Sequence, residues 1–536
     1  MQLRHLDHPL IRFKSVGPGK VSPLAALLLL ATAFSLYWIG RYAGYAMEVD
    51  ASRMTQSAHG ILHTGHLVHG KSYPAGYEYP ALVAVLSRLT GLSVQSIQLN
   101  AGLWLPVLAL VACLAYRELL GKPMPALFAC FLLLIQPDFT FYVLRSSHEK
   151  ITWMLALSCL FFLARRDRLA HLPSRMLVYE ILFCLAFWGL ATANTYFALV
   201  FLAGLTCYWL GIGIICWRIE GREPAGIRNC HLLRRTGIIC LIAYLLVFTV
   251  IHFAYPPAAN FYQVLNSFVE HLRSLFSGAP LKHPYAYVGS AWRSPVIYLA
   301  LTFPQWLVVL AGFVGWAILG RDLVRADQTR WPPRLPWMPW LLYLAFGVML
   351  AAGVVMDFAG VLSLNLQVRL FPPFALLGSP YAAVALSTGL ERIPAARRDL
   401  FRVLATGLGM AAALAAMLKI TNEPLLSNQW LFYAPAELQA MRWTDAHLES
   451  RRVWTGTTSR LADAFAFWAG YDRPPANRYE FGSTDPPPAG LLISRWTRLQ
   501  ANRNGVSLPA TLEHDRVYDN GLVQLYHRRP KTPHQH

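Results

Sequence analysis

The sequence predicts an all-α polytopic membrane protein of about 11 transmembrane helices, followed by a small C-terminal α/β domain on the outer side. Three observations carry this reading. Of the 536 residues, 55% are hydrophobic and only 14% charged, where an average soluble chain carries roughly 25% charged residues. Apolar runs near the spanning length of ~20 residues recur from Val21 to Ile420. From about Thr421 onward those runs stop, and short alternating segments with turn signals replace them. A soluble particle this poor in charge could not cover its surface, so a soluble enzyme, a disordered tail protein and a coiled coil are excluded. The net charge of +19 would suggest nucleic acid in a soluble chain. Here it follows from basic loops on the inner side, and no basic run interleaved with aromatics forms a base-stacking groove, so no nucleic-acid partner is expected.

The first apolar run, Val21 to Gly40, is long enough to cross, and no small-x-small cleavage site follows it in a convincing position. Further spans are expected at about 98–116, 123–137, 151–164, 177–194, 197–217, 236–254, 296–319, 340–356, 370–389 and 403–419. The third and fourth are short and joined by a tight turn, as in a partly inserted helical pair. Only Asn194 and Thr195 separate the fifth from the sixth. Arginines crowd alternate loops, among them Arg165, Arg166, Arg168, Arg234, Arg235, Arg397 and Arg398. That bias puts the N-terminus in the cytoplasm and, with an odd number of spans, the C-terminal region outside. The expected home is a bacterial inner membrane, with membrane lipids around the chain and the outer region in the periplasm.

Two outer loops are long, 47–97 and 255–295, and both are rich in Tyr, Pro and His. Within the first, 51–69 has the pattern of a surface helix: Met54, Ala58, Ile61, Leu62 and Val68 share one face. Residues 1–420 therefore form the transmembrane domain and 421–536 the outer α/β domain. In the latter, 435–449 and 460–470 read as helices, and 452–456, 491–495, 516–518 and 522–527 as strands. Asn520-Gly521 is the turn of a hairpin.

Chemistry concentrates at the start of the first outer loop. Met47-Glu48-Val49-Asp50 follows the first span directly. A carboxylate held at a membrane surface can take a proton from an attacking hydroxyl; Asp50 is equally suited to cap the helix that follows. The histidines His59, His63 and His66 fall on one stripe if the helix continues, and with Glu48 and Asp50 they are weak candidates for a divalent metal beside the plainer reading of a wet polar face.

Downstream comes Gly70-Lys-Ser-Tyr-Pro-Ala-Gly-Tyr-Glu-Tyr-Pro-Ala-Leu82. Acidic residues after the first span, a surface helix, then a Tyr-Pro-rich turn feeding another helix: this order resembles the first outer loop of the glycosyltransferase C (GT-C) superfamily. Those are integral membrane enzymes that take sugars from polyprenyl-phosphate carriers. Tyr79-Pro80-Ala81-Leu82 is similar to their Tyr-Pro-Pro-Leu signature and departs from it at Ala81. The segment Gln136-Pro-Asp-Phe-Thr-Phe-Tyr-Val-Leu-Arg-Ser-Ser-His-Glu-Lys150 is similar to their second outer loop, and Arg369-Leu-Phe-Pro-Pro-Phe374 to an Arg-x-x-x-Pro element. A transmembrane region with an outer C-terminal domain also resembles the architecture of protein O-mannosyltransferases.

The resemblance implies a GT-C-like fold and an inverting glycosyltransferase. A sugar would pass from a polyprenyl-phosphate-linked donor to a glycan, lipid or protein acceptor hydroxyl on the periplasmic face. Asp50 or Glu48 would then be the base. Arg369 would meet the leaving phosphate, since a guanidinium fork fits phosphate oxygens. Arg145, His148 and Lys150 are further cationic candidates, and Glu149 would orient one of them. Tyr79 and Arg293 are expected to touch substrate. No cofactor is required, because a single leaving phosphate can be met by Arg or Lys alone; a divalent metal stays open as the alternative. A polytopic transporter or lipid flippase is the competing reading, but acidic residues cluster in the outer loops rather than at mid-membrane.

Overall fold

A computed structural model describes residues 22–42, 49–70, 72–169, 172–219, 225–260, scattered positions from 262 to 277, 295–325, 337–358, 366–421, 434–447, 453–454, 490–495, 497–498 and 514–528. Up to residue 421 every regular element among the described residues is a helix. It opens with α1 (Pro23–Tyr42), and the first outer loop holds α2 (Val49–Thr64), α3 (Glu78–Thr90) and α4 (Val94–Leu99). The bundle continues with α5 (Leu105–Leu120), α6 (Pro123–Leu134), α7 (Pro137–Leu144), α8 (Glu149–Arg168), α9 (Pro173–Ala193), α10 (Thr195–Ile219) and α11 (Ala225–Thr249). It closes with α12 (Pro295–Arg325), α13 (Trp337–Phe358), α14 (Leu366–Glu391) and α15 (Arg398–Thr421).

Among the described residues, nine helices are long and apolar enough to cross a membrane. The α6–α7 pair would be a tenth if counted as one span, although it bends by 77°. Helix α8 sits where the fourth span was expected. It is 20 residues long, charged at both ends, and lines the core with Trp153, Ala156, Leu157, Leu160 and Leu163.

The α6–α7 bend has a local cause. Pro137 cannot donate to the preceding turn and pushes Gln136 into extended backbone, with φ −82° and ψ 108°. Polar groups freed inside apolar surroundings need partners. The Thr140 hydroxyl donates to the Leu134 carbonyl at 2.6 Å, and Gln136 Nε2 donates to Ser379 Oγ on α14 at 2.8 Å. At the far side of the bend, Asp138 in the first turn of α7 pairs with Lys419 in the last turn of α15.

Helices α12 and α14 pack with no space between their backbones: a methyl group on Gly315 would overlap the Tyr381 carbonyl. At the end of the bundle remote from the first outer loop, the buried Arg166 guanidinium donates to Asp167 at 2.8 Å and to Thr236 Oγ1 at 2.9 Å. The Tyr208 hydroxyl donates to the other Asp167 oxygen at 2.7 Å. A buried charge needs such pairing, and this one joins α8, α10 and α11.

In the C-terminal domain α16 (Pro435–His447) is followed by β1 (Val453–Trp454), β2 (Gly490–Ser494), β3 (His514–Asp519) and β4 (Val523–Arg528). They form one sheet of order β1-β2-β4-β3, with β1 parallel to β2 and the other pairs antiparallel. The hairpin turns at Asn520-Gly521, where Gly521 takes φ +84°. The Asn520 carboxamide accepts from Val523 N–H at 2.9 Å and donates to the Ala436 carbonyl at 2.8 Å, fastening the turn to α16. The helix expected at 460–470 lies outside the described residues.

Candidate functional site

The first outer loop docks on the end of the bundle through backbone. Helix α9 stops at Ala193, and Asn194 is extended, with φ −155° and ψ 93°. The carbonyl of Thr192 accepts from Tyr77 N–H at 2.9 Å, and that of Ala75 accepts from Thr195 N–H at 2.9 Å. Between them Gly76 lies so close to this break that a methyl group there would sit 2.4 Å from the Thr192 oxygen and 2.5 Å from that of Ala193. Only a residue without Cβ permits that approach. The Tyr255 hydroxyl, just beyond α11, donates to the Tyr73 carbonyl at 2.6 Å and ties a third element to the loop.

Against this platform the α7–α8 turn presents its charged residues. Arg145 is buried, with 3% of its side chain exposed. Its Nη1 lies 3.7 Å from an oxygen of Asp50, which keeps 22% exposure in the first turn of α2. Its Nη2 holds Glu149 Oε1, and the Ser147 hydroxyl donates to Glu149 Oε2. The guanidinium also lies 4.7 Å from the Tyr142 ring centre. Two carboxylates from separate elements thus flank one desolvated guanidinium, and Asp50 is the more open of the two. A fixed, partly exposed carboxylate can accept a proton, and the cation beside it can meet an anion.

The neighbours of this cluster depart from expectation in three respects. Lys150 was expected as a phosphate-binding cation. Its side chain is fully buried, and its ammonium donates at 2.7 Å to the carbonyls of Arg145 and Ser147 and faces the Tyr79 ring at 5.0 Å. The ammonium thus holds the turn together. Tyr79, expected to touch substrate, is 2% exposed; its hydroxyl donates to Gln98 Oε1 at 2.8 Å, and burial pushes its ionisation upward. For His148, expected among the cations, burial first, then the charges of Arg145, Lys150 and Arg369, hold the imidazole well below its usual range.

Arg369 stands exposed in the first turns of α14. Its charge adds, after burial and the charges of Arg145 and Lys150, to the lowering at His148. Glu48 and Arg293 lie outside the described residues. The histidine stripe does not form. Gly65 at φ +72° ends α2 after Thr64, so His66 falls beyond the helix. His59 is half-buried against Gln95 at 3.1 Å, and burial lowers its basicity against the effect of that hydrogen bond. Among the described residues no three His, Cys, Asp or Glu side chains are arranged to hold a metal ion.

Two residues were missed. Glu78 opens α3, is largely buried, and accepts from Thr192 Oγ1 at 3.3 Å; burial, opposed by that hydrogen bond, pushes its carboxyl up to about 7. Asn194 donates to His148 Nε2 at 2.7 Å. The one signal for Asn194 in the sequence was its place between two apolar runs. Glu78 stands inside the Tyr-Pro-rich element without any periodic pattern.

No protein-family model matches the sequence, and no curated protein matches it. Solved structures do resemble the chain. ArnT from Cupriavidus metallidurans bound to undecaprenyl phosphate aligns with a TM-score of 0.51 at 14% identity, over 94% of this chain and 98% of that one. The archaeal oligosaccharyltransferase AglB from Archaeoglobus fulgidus, in complex with an inhibitory peptide and a dolichol-phosphate, aligns with a TM-score of 0.52 at 15% identity, over 85% of this chain. This chain spans 64% of the archaeal one. A form of the A. fulgidus enzyme tethered to an acceptor peptide gives a TM-score of 0.53 at 14% identity. The chain shares the fold of these structures, and its described residues show the expected polytopic helical architecture with a small C-terminal sheet.

Proposed function

We propose that the chain is an inverting membrane glycosyltransferase that moves a sugar from a polyprenyl-phosphate carrier to an acceptor hydroxyl of a glycan, lipid or protein, with Asp50 as base. The observation that carries this is the pairing of Asp50 with the buried Arg145 where the first outer loop meets the α7–α8 turn. Support comes from the fold shared with ArnT bound to undecaprenyl phosphate and AglB bound to dolichol-phosphate. The loop-charge pattern supports reading this end of the bundle as the periplasmic face of a bacterial inner membrane.

In this reading the acceptor oxygen attacks the anomeric carbon from the side opposite the phosphate. The bond from that carbon to the phosphate oxygen breaks, and its electrons stay on the polyprenyl phosphate. The hydroxyl proton passes to Asp50, with Glu48 as the second candidate. Arg369 and Arg145 meet the charge gathering on the phosphate. Glu149 keeps Arg145 aimed; His59 and His63 take no part.

Purified protein given a radiolabelled undecaprenyl-phosphate sugar is expected to release undecaprenyl phosphate. Asp50→Asn should lose turnover while keeping fold and donor binding, and full activity of Asp50→Asn combined with Glu48→Gln would refute the assignment. Arg369→Ala should weaken donor binding about tenfold or more, in line with a charged hydrogen bond; unchanged affinity removes Arg369 from the site. Transport of the lipid across proteoliposomes without sugar transfer would favour the flippase reading instead.

A further inference from the structure

The Asn194–His148 contact fixes more than a position. The Asn194 Oδ1 accepts from Phe197 N–H at 3.0 Å and so caps α10. This sets the carboxamide: oxygen toward the helix, nitrogen toward His148. With Nδ2 donating at 2.7 Å, His148 Nε2 must present its lone pair. A neutral imidazole then carries its proton on Nδ1. The ring is 4% exposed and is packed against Tyr73 at 5.5 Å between ring centres. Its Nδ1 is buried with no hydrogen-bond partner and lies 3.8 Å from Glu149 Oε2, on the carboxylate that Arg145 holds.

A buried donor without an acceptor is unfavourable, and native structures keep such groups where an incoming atom completes them. Arg145 and Lys150 flank His148 on its own turn, and the field of Arg369 reaches it from α14. The one carboxylate beside Nδ1, Glu149, is already held by Arg145 and the Ser147 hydroxyl, so the acceptor that the remaining positive charge favours is an anionic oxygen. We infer that Asn194 is a positioning residue that holds His148 as a neutral Nδ1–H donor to a phosphate oxygen of the lipid carrier. The inference rests on the glycosyltransferase reading for the identity of the phosphate. The hydrogen bond is given without moving a proton, so the donor keeps its state through the reaction.

The test uses the full chain in lipid nanodiscs, with undecaprenyl phosphate alone as probe. Asn194→Asp keeps a cap for Phe197 but turns the atom facing His148 into an acceptor, so the proton must move to Nε2. Nitrogen-15 spectra of histidine-labelled protein should show His148 protonated on Nδ1 in the wild type and on Nε2 alone in the variant. Affinity for undecaprenyl phosphate should fall about tenfold or more, as for loss of a hydrogen bond to a charged group. An unchanged tautomer with unchanged affinity, or a wild-type His148 protonated on Nε2, overturns the inference. Should Asn194→Asp not fold, His148 variants decide. His148→Asn places an amide donor near the Nδ1 position and should retain most of the affinity that His148→Ala loses; equal affinities overturn the inference. A wild type that binds no undecaprenyl phosphate would count against the glycosyltransferase reading itself, whatever the tautomer.

Discussion

Replacing Glu78 with Gln should make the first outer loop hold more firmly at high pH and leave it unchanged at low pH. Burial at the start of α3 raises the carboxyl from 4.5 to about 7. Below pH 4.5 both folded and unfolded forms are protonated, and the group is neutral to stability. Between 4.5 and 7 the docked form keeps a proton that the undocked form has released. Docking therefore weakens as pH rises through that window. Above pH 7 both are ionised, and the full cost of holding a charge there applies. Converted at 1.36 kcal/mol per pH unit, this is about 3 kcal/mol, on the order of a hundredfold in the opening equilibrium. The Gln side chain keeps an acceptor for the Thr192 hydroxyl and carries no charge. Deuterium exchange at Tyr77 N–H and along α3, with variant and wild type compared at equal pH, reads this equilibrium directly. At pH 8 exchange in the variant should be slower by up to that factor; at pH 4.5 the two should coincide. A ratio that does not change with pH would refute the reasoning, because it would mean that Glu78 is not ionising in a buried place.

Two further outcomes test the same platform. Gly76→Ala puts a methyl group against two backbone carbonyls that cannot yield without breaking the α9–α10 junction; docking should weaken by about 1–3 kcal/mol, seen as faster exchange at Tyr77 and Thr195. Arg145→Ala strands the Glu149 carboxylate in a buried site and should cost about 3–5 kcal/mol in detergent denaturation. Adding Glu149→Gln to Arg145→Ala should recover much of that loss, and strict additivity of the two would show that the pair is not coupled.

The transmembrane order was legible because burial in lipid writes itself as unbroken apolar length, and the bend at Gln136-Pro137 follows from proline's missing donor. Helix α2 was legible through Met54 and Ala58, both fully buried, and its end through Gly65, a signal that the histidine spacing obscured. The hairpin at Asn520-Gly521 was legible because its turn type demands those residues. The segment 136–150 was legible as a charged connection between two short apolar runs, but not which of its charges are buried. Lys150 and Tyr79 look like site residues by type, and both are buried with hydrogen-bond partners inside the protein. That outcome depends on where Gln98 and two backbone carbonyls arrive from elsewhere in the chain. The same holds for Glu78 and Asn194. Their meaning comes from the seating of the first loop on the α9–α10 break, and no local periodicity encodes such a meeting.

The ion pair between Asp138 and Lys419 gives helix α7 an unusual mechanical status. Its near end is anchored to α14 through Gln136 and Ser379, and its first turn is bolted to the last turn of the final span. Only 8 residues long, it ends directly at the turn that bears Arg145 and Glu149. A shift of the last turn of α15 would therefore act, through one ion pair and a short helix, on those two side chains.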